Sequence, residues 1–529
     1  MLVGLPVLTH QNNQAADVTE APIEVTTTVA PRTFAPFDRA EYVQLPVAAT
    51  ATAVVEPTSI TVAAKKTGMI MPTGLTGLSI DSDQLNNMHF DAGQSTLGQV
   101  LALDSDPVIR FGAQSVDRRF FWTSTDEPIP DWTLNPAYKG DVRPIAKITP
   151  ANLENLNQIL TESNAKVLLA VDLGHFDPAR AADFAKWAYQ ILGDKLLGVS
   201  LGNEPNGYNR DIGAYYLLRP TSYSFADYAK EATAYSEAIA TAAPTVKIMG
   251  PQVYEESWWG PFLDLKLPNV GAMTFHHYPM SDCGSPAEAP TGISIANVLS
   301  RTLSDSSAKY AAAAYAAVKG FNVPAWNSET NWTGCSGSNQ LTQTQASAQW
   351  TVNYAMRSAT EGVTKLFFHG ALDACKGGPP NSPLCDSGAF KKPNGIIAMR
   401  AQYYSMMMVN KVGAGDFLQN KVTGNENIYP YPVQHADGTL SVMIVNQNDS
   451  ATIAPAQITL TLPAQTATGT MTQLAAPELT SQDRTRIDGL ESSGVATADQ
   501  LRIPGYAAGA QTITVAINSG TSTILNFAP

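Results

Sequence analysis

The feature that most constrains this chain is a series of short apolar segments alternating with amphipathic stretches between residues 75 and 410. Strands are predicted at 77–80, 108–111, 166–171, 197–201, 246–249, 272–275, 323–327 and 365–368, and helices at 179–192, 225–243, 304–318 and 342–360. Eight strands alternating with helices, most followed by polar, glycine-containing segments, are what an α/β fold of the (β/α)8 TIM barrel type requires. No glycine-rich dinucleotide fingerprint follows any of them, which argues against a doubly wound sheet.

The flanks read differently. Residues 1–51, rich in Thr, Ala, Val and Pro without periodicity, are expected to form an extended arm. Within 52–73, β-branched runs predict strands separated by a turn at Lys65-Lys66-Thr67-Gly68. The barrel is expected over 74–411, with Met406-Met407-Met408 as core in a closing helix. Past 412, strand-and-turn sequence returns at 440–445, 458–462, 512–517 and 521–527, predicting an antiparallel β-sandwich over 412–529. The strands of 52–73 are expected to join it, so that both chain ends build one domain.

Charge narrows the partners. With 33 Lys and Arg against 46 Asp and Glu, the net charge is −13 and no basic run occurs, which excludes nucleic acid and anionic membranes as partners. No stretch reaches the roughly 18 to 20 apolar residues of a membrane span. Low charge, abundant Ala, Thr, Ser, Gly and Pro, and an even count of four cysteines point to a secreted or periplasmic monomer, although residues 2–8 do not make a signal sequence. The triplets Asn331-Trp332-Thr333 and Asn448-Asp449-Ser450 match the N-glycosylation pattern, which arises by chance in chains this long.

In a barrel, residues at the strand ends line the mouth where chemistry is done. Two carboxylates stand out there: Glu204 in Gly202-Asn203-Glu204-Pro205-Asn206 after strand four, and Glu329 in Asn327-Ser328-Glu329-Thr330 after strand seven. Hydrolysis of a glycosidic bond needs such a pair, one protonated to donate to the leaving oxygen and one ionised to attack or to activate water. A lone Glu after a strand is more often solvated; two at these ends are far more specific. Cys283 and Cys335 follow neighbouring strands and would tie two mouth loops; Cys375 and Cys385 would close a Gly-Gly-Pro-Pro loop. A metal site is not expected, because there is no Cys-x-x-Cys and adjacent His276 and His277 point to opposite faces of a strand.

With these carboxylates, Gly77-Leu78-Ser79-Ile80-Asp81-Ser82, Val108-Ile109-Arg110-Phe111-Gly112-Ala113-Gln114-Ser115-Val116-Asp117, Phe275-His276-His277-Tyr278-Pro279 and Phe367-Phe368-His369-Gly370 resemble glycoside hydrolase family 79, which contains β-glucuronidases and heparanases. The resemblance covers residues 52–529 and implies a retaining barrel glycosidase that needs no cofactor. It makes Glu204 the acid/base, expected to be kept neutral by burial and by Glu329, and Glu329 the nucleophile. Asn203 would hold the sugar 2-hydroxyl and Tyr278 would orient Glu329, with His277 beside it. Asp81, Asp83, Gln114 and Ser115 would meet the hydroxyls of the −1 sugar, although Ala113 and Gln114 depart from the family pattern. The family binds the sugar carboxylate in a loop after strand eight with glycine amides and a tyrosine. Here residues 370–395 contain no Tyr, leaving Gly370, Lys376 and Gly377.

The activity implied is an exo-β-glucuronidase acting on glycans or glycosides, with or without a 4-O-methyl group on the sugar. The rivals are a heparanase-like endo-enzyme, disfavoured by the missing basic clusters, a relative acting on neutral sugars, and a carbohydrate-binding protein on a glycosidase scaffold.

Overall fold

The computed structural model describes residues 57–130, 144–210, 217–335, 339–375, 382–389, 391–482, 485–487 and 501–529, so the expected arm of 1–51 lies outside the described residues. Eight parallel strands close a barrel: Thr76–Asp81, Val108–Gly112, Lys166–Val171, Leu196–Leu201, Ile248–Val253, Val270–His277, Ala325–Thr330 and Val363–Gly370, numbered one to eight in chain order. Strand three, KVLLAV, buries its last five residues in succession, as a parallel strand covered on both faces must. Val108, Leu168, Met249, Ala272, Trp326 and Phe367, from six strands, form one buried cluster that floors the interior. Gly77 on strand one makes room for it, since a Cβ there would stand 2.7 Å from the Val108 carbonyl oxygen and 3.2 Å from the Phe367 ring.

Helices begin where the sequence supplies caps. Asp177 accepts the Arg180 N–H at 3.0 Å ahead of Pro178–Leu192, and Ser224 with Asp227 forms a capping box before Phe225–Ala242. Ser300 accepts the Leu303 N–H at the head of Arg301–Val318. The helix expected over 342–360 is two, Asn339–Thr342 and Gln345–Thr360, because extended Thr344 caps the second. That helix is almost wholly buried, and its polar residues are used against the sheet domain: Gln345 accepts from Thr485 Oγ1 at 2.9 Å and Gln349 from Ser522 Oγ at 2.7 Å. The methionine run lies in the fully buried helix Ala401–Asn410.

A curled, mainly antiparallel sheet of ten strands holds both ends of the described chain. Thr58–Met71 pairs antiparallel with Gly415–Thr423 and parallel with Ala456–Thr461. The turn expected at 65–68 does not form. The strand runs on through Lys65-Lys66-Thr67-Gly68 and takes up the irregularity as register shifts around Lys66, with Gly68 at φ +94°. Ile60, Val442, Leu460, Val515 and Leu525 meet in one core, while Tyr431, Met443 and Val445 on the other face pack with the barrel. Among the described residues no helix is long and apolar enough to cross a membrane. Asn331 and Asn448 are both buried, so neither triplet presents an exposed glycosylation acceptor in the folded protein. Cys283 is bridged to Cys335 and Cys375 to Cys385, with Cα atoms 5.4 and 4.8 Å apart.

Candidate active site

Above the apolar floor the inward side chains become polar. Arg110, in the middle of strand two, is completely buried and is the hub. Its Nη1 donates to Glu329 Oε2 and to Ser79 Oγ, each at 2.8 Å, and its Nη2 donates to Asn203 Oδ1 at 2.7 Å and Gln252 Oε1 at 2.9 Å. The Tyr278 hydroxyl donates to the other oxygen, Glu329 Oε1, at 2.9 Å. Burial works against a charge on Glu329, but His369, His276 and Arg110 outweigh it and hold the carboxyl down at about 2. Tyr278 is pushed the other way, by burial and by the charges of Glu329 and Glu204, and stays a hydrogen-bond donor.

Glu204 sits in a tight loop, in the left-handed region at φ 52°, ψ 52°, just after Gly202 at φ 66°. Two backbone bonds fix that strained conformation: Asn203 N–H donates to buried Asp117 Oδ2 at 2.8 Å and Glu204 N–H to the Gln252 carbonyl at 2.9 Å. Glu204 Oε1 lies 2.9 Å from His276 Nδ1, and His276 Nε2 lies 3.2 Å from Gln252 Oε1. An amide oxygen only accepts, so His276 carries its hydrogen on Nε2. Nδ1 is thereby the ring nitrogen that faces Glu204, at hydrogen-bonding distance.

Oxygens of Glu204 and Glu329 and a nitrogen of His276 all lie within 4.8 Å of one another. The same three groups could in principle surround a cation, but the Arg110 guanidinium bonded to Glu329 opposes one.

The remaining expected residues are distributed as follows. Asn203 is buried beside Arg110, and its Nδ2 has no hydrogen-bond partner among the described residues. Asp81 is partly exposed at the mouth, 3.9 Å from His369 Nε2. Asp83 is bound to Arg119 at 2.8 Å, and its N–H donates to Ser115 Oγ at 3.2 Å. Burial and then Asp81 push the Asp83 carboxyl up. Ser115 is fully buried and braces this loop, while Gln114 is half-buried in the same turn. His277 is turned away from the carboxylates: it stacks on Tyr310 at 4.2 Å and its Nδ1 lies 2.8 Å from the Tyr354 hydroxyl. The histidine among them is His276, as alternation along the strand demands. A Cβ on Gly370 would meet Ser382 and Pro383 at 2.8 Å, so its missing side chain serves close packing there. Lys376 and Gly377 lie outside the described residues.

Arg110, Gln252, His276, Asp117 and His369 were not singled out in the sequence, yet each belongs to this constellation. For Arg110 a signal existed: a lone Arg inside an otherwise apolar strand. A cavity of about 880 Å³ lies elsewhere, between helices Arg301–Val318 and Gln345–Thr360 and the sheet. Among its charged side chains, Arg301 and Arg357 both pair with Asp305. The two strand-end carboxylates converge instead at the barrel mouth.

No protein-family model and no curated protein sequence matches the chain. Solved structures do. A 4-O-α-L-rhamnosyl-β-D-glucuronidase from Fusarium oxysporum 12S, in its Rha-GlcA complex, superposes with a TM-score of 0.65 at 16% identity over 88% of this chain and 99% of its own. A GH51 arabinofuranosidase from Xanthomonas axonopodis pv. citri gives 0.62 at 12% identity over 89% and 100%. A bifunctional glucanase-xylanase from a metagenome library gives 0.59 at 12% identity over 90% and 99%. The likeness establishes the fold. The neighbours are glycoside hydrolases built on a barrel with a second domain.

Proposed function

We propose that the protein is a retaining exo-β-glucuronidase resembling glycoside hydrolase family 79. The observation that carries this reading is the pair Glu204 and Glu329, with oxygens within 4.8 Å and different surroundings: Glu329 is held ionised by the cations around it, and Glu204 lies 2.9 Å from His276 Nδ1. The spacing supports retention, since retaining pairs stand ~5 to 5.5 Å apart and inverting pairs ~6.5 to 9.5 Å.

Glu329 attacks the anomeric carbon while Glu204 gives its proton to the glycosidic oxygen, so the C–O bond breaks and a glycosyl ester forms. Esterification removes the Glu329 charge. Glu204, now a carboxylate, takes a proton from water as that water attacks the anomeric carbon and frees Glu329. Tyr278 and Arg110 each hold one oxygen of the nucleophile, and the unbonded Asn203 Nδ2 is free to donate to the sugar 2-hydroxyl.

The glucuronidase neighbour supports the uronic-acid substrate, and a charge of −13 favours an exo-enzyme over one that grips sulfated chains. The two disulfides favour an extracellular or periplasmic protein. The arabinofuranosidase neighbour, almost as similar in fold, keeps neutral sugars as the second reading. A panel of aryl β-glycosides differing only at carbon 5 decides between them. Glucuronide hydrolysis should far exceed that of glucoside and xyloside, and comparable rates would sink the uronic-acid assignment.

A further inference from the structure

The cavity of about 880 Å³ between barrel and sheet exists because the sheet splits there. Strands Gly415–Thr423 and Ile428–Gln434 are in register with each other only at Asp416–Gln434 and Phe417–Val433, and then diverge. The cause is in the sequence. Backbone direction alternates along a strand, so Pro430 and Pro432 lie on the same edge as the paired Gln434, and a proline has no N–H to carry the ladder on. Asn420 Nδ2 reaches the Pro430 carbonyl at 3.5 Å, which shows that this edge faces the gap. Across from it, the peptide groups of Asn420 and Val422 turn into the gap by the same alternation and meet no strand among the described residues.

Side chains add donors and acceptors. Arg301 and Arg357 share Asp305, and Arg357 Nη1 makes no hydrogen bond among the described residues. The Glu361 carboxylate stands 4.0 Å from Arg357 Nε, beyond bonding distance. The amide of Gln419 is exposed. With Glu426 also at the wall, the charged groups leave no cationic surplus. Such a wall suits hydroxyl groups, each of which both donates and accepts, better than it suits an acidic chain. We propose that this cavity is a second, non-catalytic glycan site, which holds a neutral stretch of polysaccharide against the sheet domain, away from the barrel mouth. Its volume lies within the ~300 to 1,000 Å³ of ligand pockets. An inserted peptide strand fits less well. It would ladder with Asn420 and Val422, but its carbonyls facing Pro430 and Pro432 would find no N–H and stay unpaired inside the gap. The proposal does not depend on which sugar the barrel hydrolyses.

The test uses the full chain carrying Glu329→Gln, which leaves polymer uncut, in native gels containing arabinogalactan, xylan or mixed-linkage β-glucan. Hydrogen exchange is followed with and without the same polymers. At least one polymer should retard the protein and slow exchange in residues 418–431. Gln419→Ala combined with Asn420→Ala should weaken that retardation about tenfold, the scale of two lost neutral hydrogen bonds. Placed in the otherwise wild-type enzyme, the same pair should leave kcat/KM within about twofold on whichever small aryl glycoside the wild type hydrolyses fastest. Hydrogen exchange needs no cavity variant and decides the case if the pair misfolds. Retardation that survives the pair, or protection confined to the barrel mouth, would put binding in the active site and overturn the proposal, as would no retardation by any polymer. Protection of 418–431 by a valine–threonine hexapeptide but by no polysaccharide would overturn it too, and make the gap a strand-addition site.

Discussion

The floor and the mouth of the barrel are built by the same strands, two residues apart. Val108 lies in the floor and Arg110 in the mouth, Trp326 below Ser328, Phe367 below His369. Inward-facing positions repeat every second residue, so the fold itself places no chemistry; the side chain at the upper position does. Where the mouth needs more than one group per strand, the ladder breaks. Gln252 sits at φ 62° in an irregular stretch of strand five, and a register shift near Glu329 lets consecutive Ser328 and Glu329 both reach the Arg110 network.

The comparison predicts that mouth and floor fail differently. Glu329→Gln should lower kcat by on the order of 10⁴-fold or more, the scale of losing a covalent catalytic group, while the thermal midpoint stays near wild type. Azide should rescue Glu204→Ala on an activated substrate and give a glycosyl azide of retained configuration; no such product would contradict the two-step assignment. Phe367→Ala, one layer down, should do the reverse. It should cost about 3 to 5 kcal/mol in denaturant unfolding with kcat/KM little changed. A large rate loss there would mean that the floor sets the geometry of the mouth rather than merely supporting it.

Buried carboxylates sharpen the contrast. Glu329 has cations around it and is held at about 2, whereas Asp104, ahead of strand two, has only neutral donors on its oxygens, the Asn410 amide at 2.8 and 3.0 Å and the backbone N–H groups of Asp106 and Ser105, and burial pushes it up to about 6. A raised carboxyl binds its proton in the folded state over the window from 3.8 to about 6, so stability falls as pH rises through that window. At 1.36 kcal/mol per unit, the loss is about 3 kcal/mol by pH 7. Asp104→Asn keeps the shape and should recover much of that above pH 6 and little at pH 4, read from thermal midpoints at the two values. An equal gain at both pH values would show that the charge is not the cause.

The barrel was legible because buried parallel strands are continuous apolar runs, and segments such as 166–171 state this directly. The upper ends of strands were not, for the same physical reason. Strand five is expected over 246–249, yet it runs Ile248–Val253, through Pro251, and carries Gln252; strand seven is expected over 323–327, yet it runs Ala325–Thr330 and includes polar Ser328, Glu329 and Thr330. The mouth is where the apolar pattern must fail, so a reading that follows apolarity stops just short of the chemistry. Glu204 and Glu329 were found only because their neighbours form a motif. Arg110 and His276 lie inside quoted motifs too, but nothing in those motifs marks them as catalytic, and which of adjacent His276 and His277 faces inward is set by the register of the strand.

The smallest effect tests how tightly the mouth is wired. Gln252 Oε1 lies within reach of three donors, Arg110 Nη2 at 2.9 Å, Ser328 Oγ at 3.0 Å and His276 Nε2 at 3.2 Å. Only the Ser328 bond joins two neutral side chains and touches neither carboxylate. Ser328→Ala should therefore cost about 1 kcal/mol of stability, the usual net worth of a neutral bond, and change kcat/KM by less than about threefold. Trp326, two residues earlier, provides the matched floor control. A loss of tenfold or more in kcat/KM from Ser328→Ala would mean that the three bonds act as one cooperative unit orienting His276 against Glu204. The line between catalytic mouth and structural floor would then have to be drawn below Ser328, at the level of Trp326 itself.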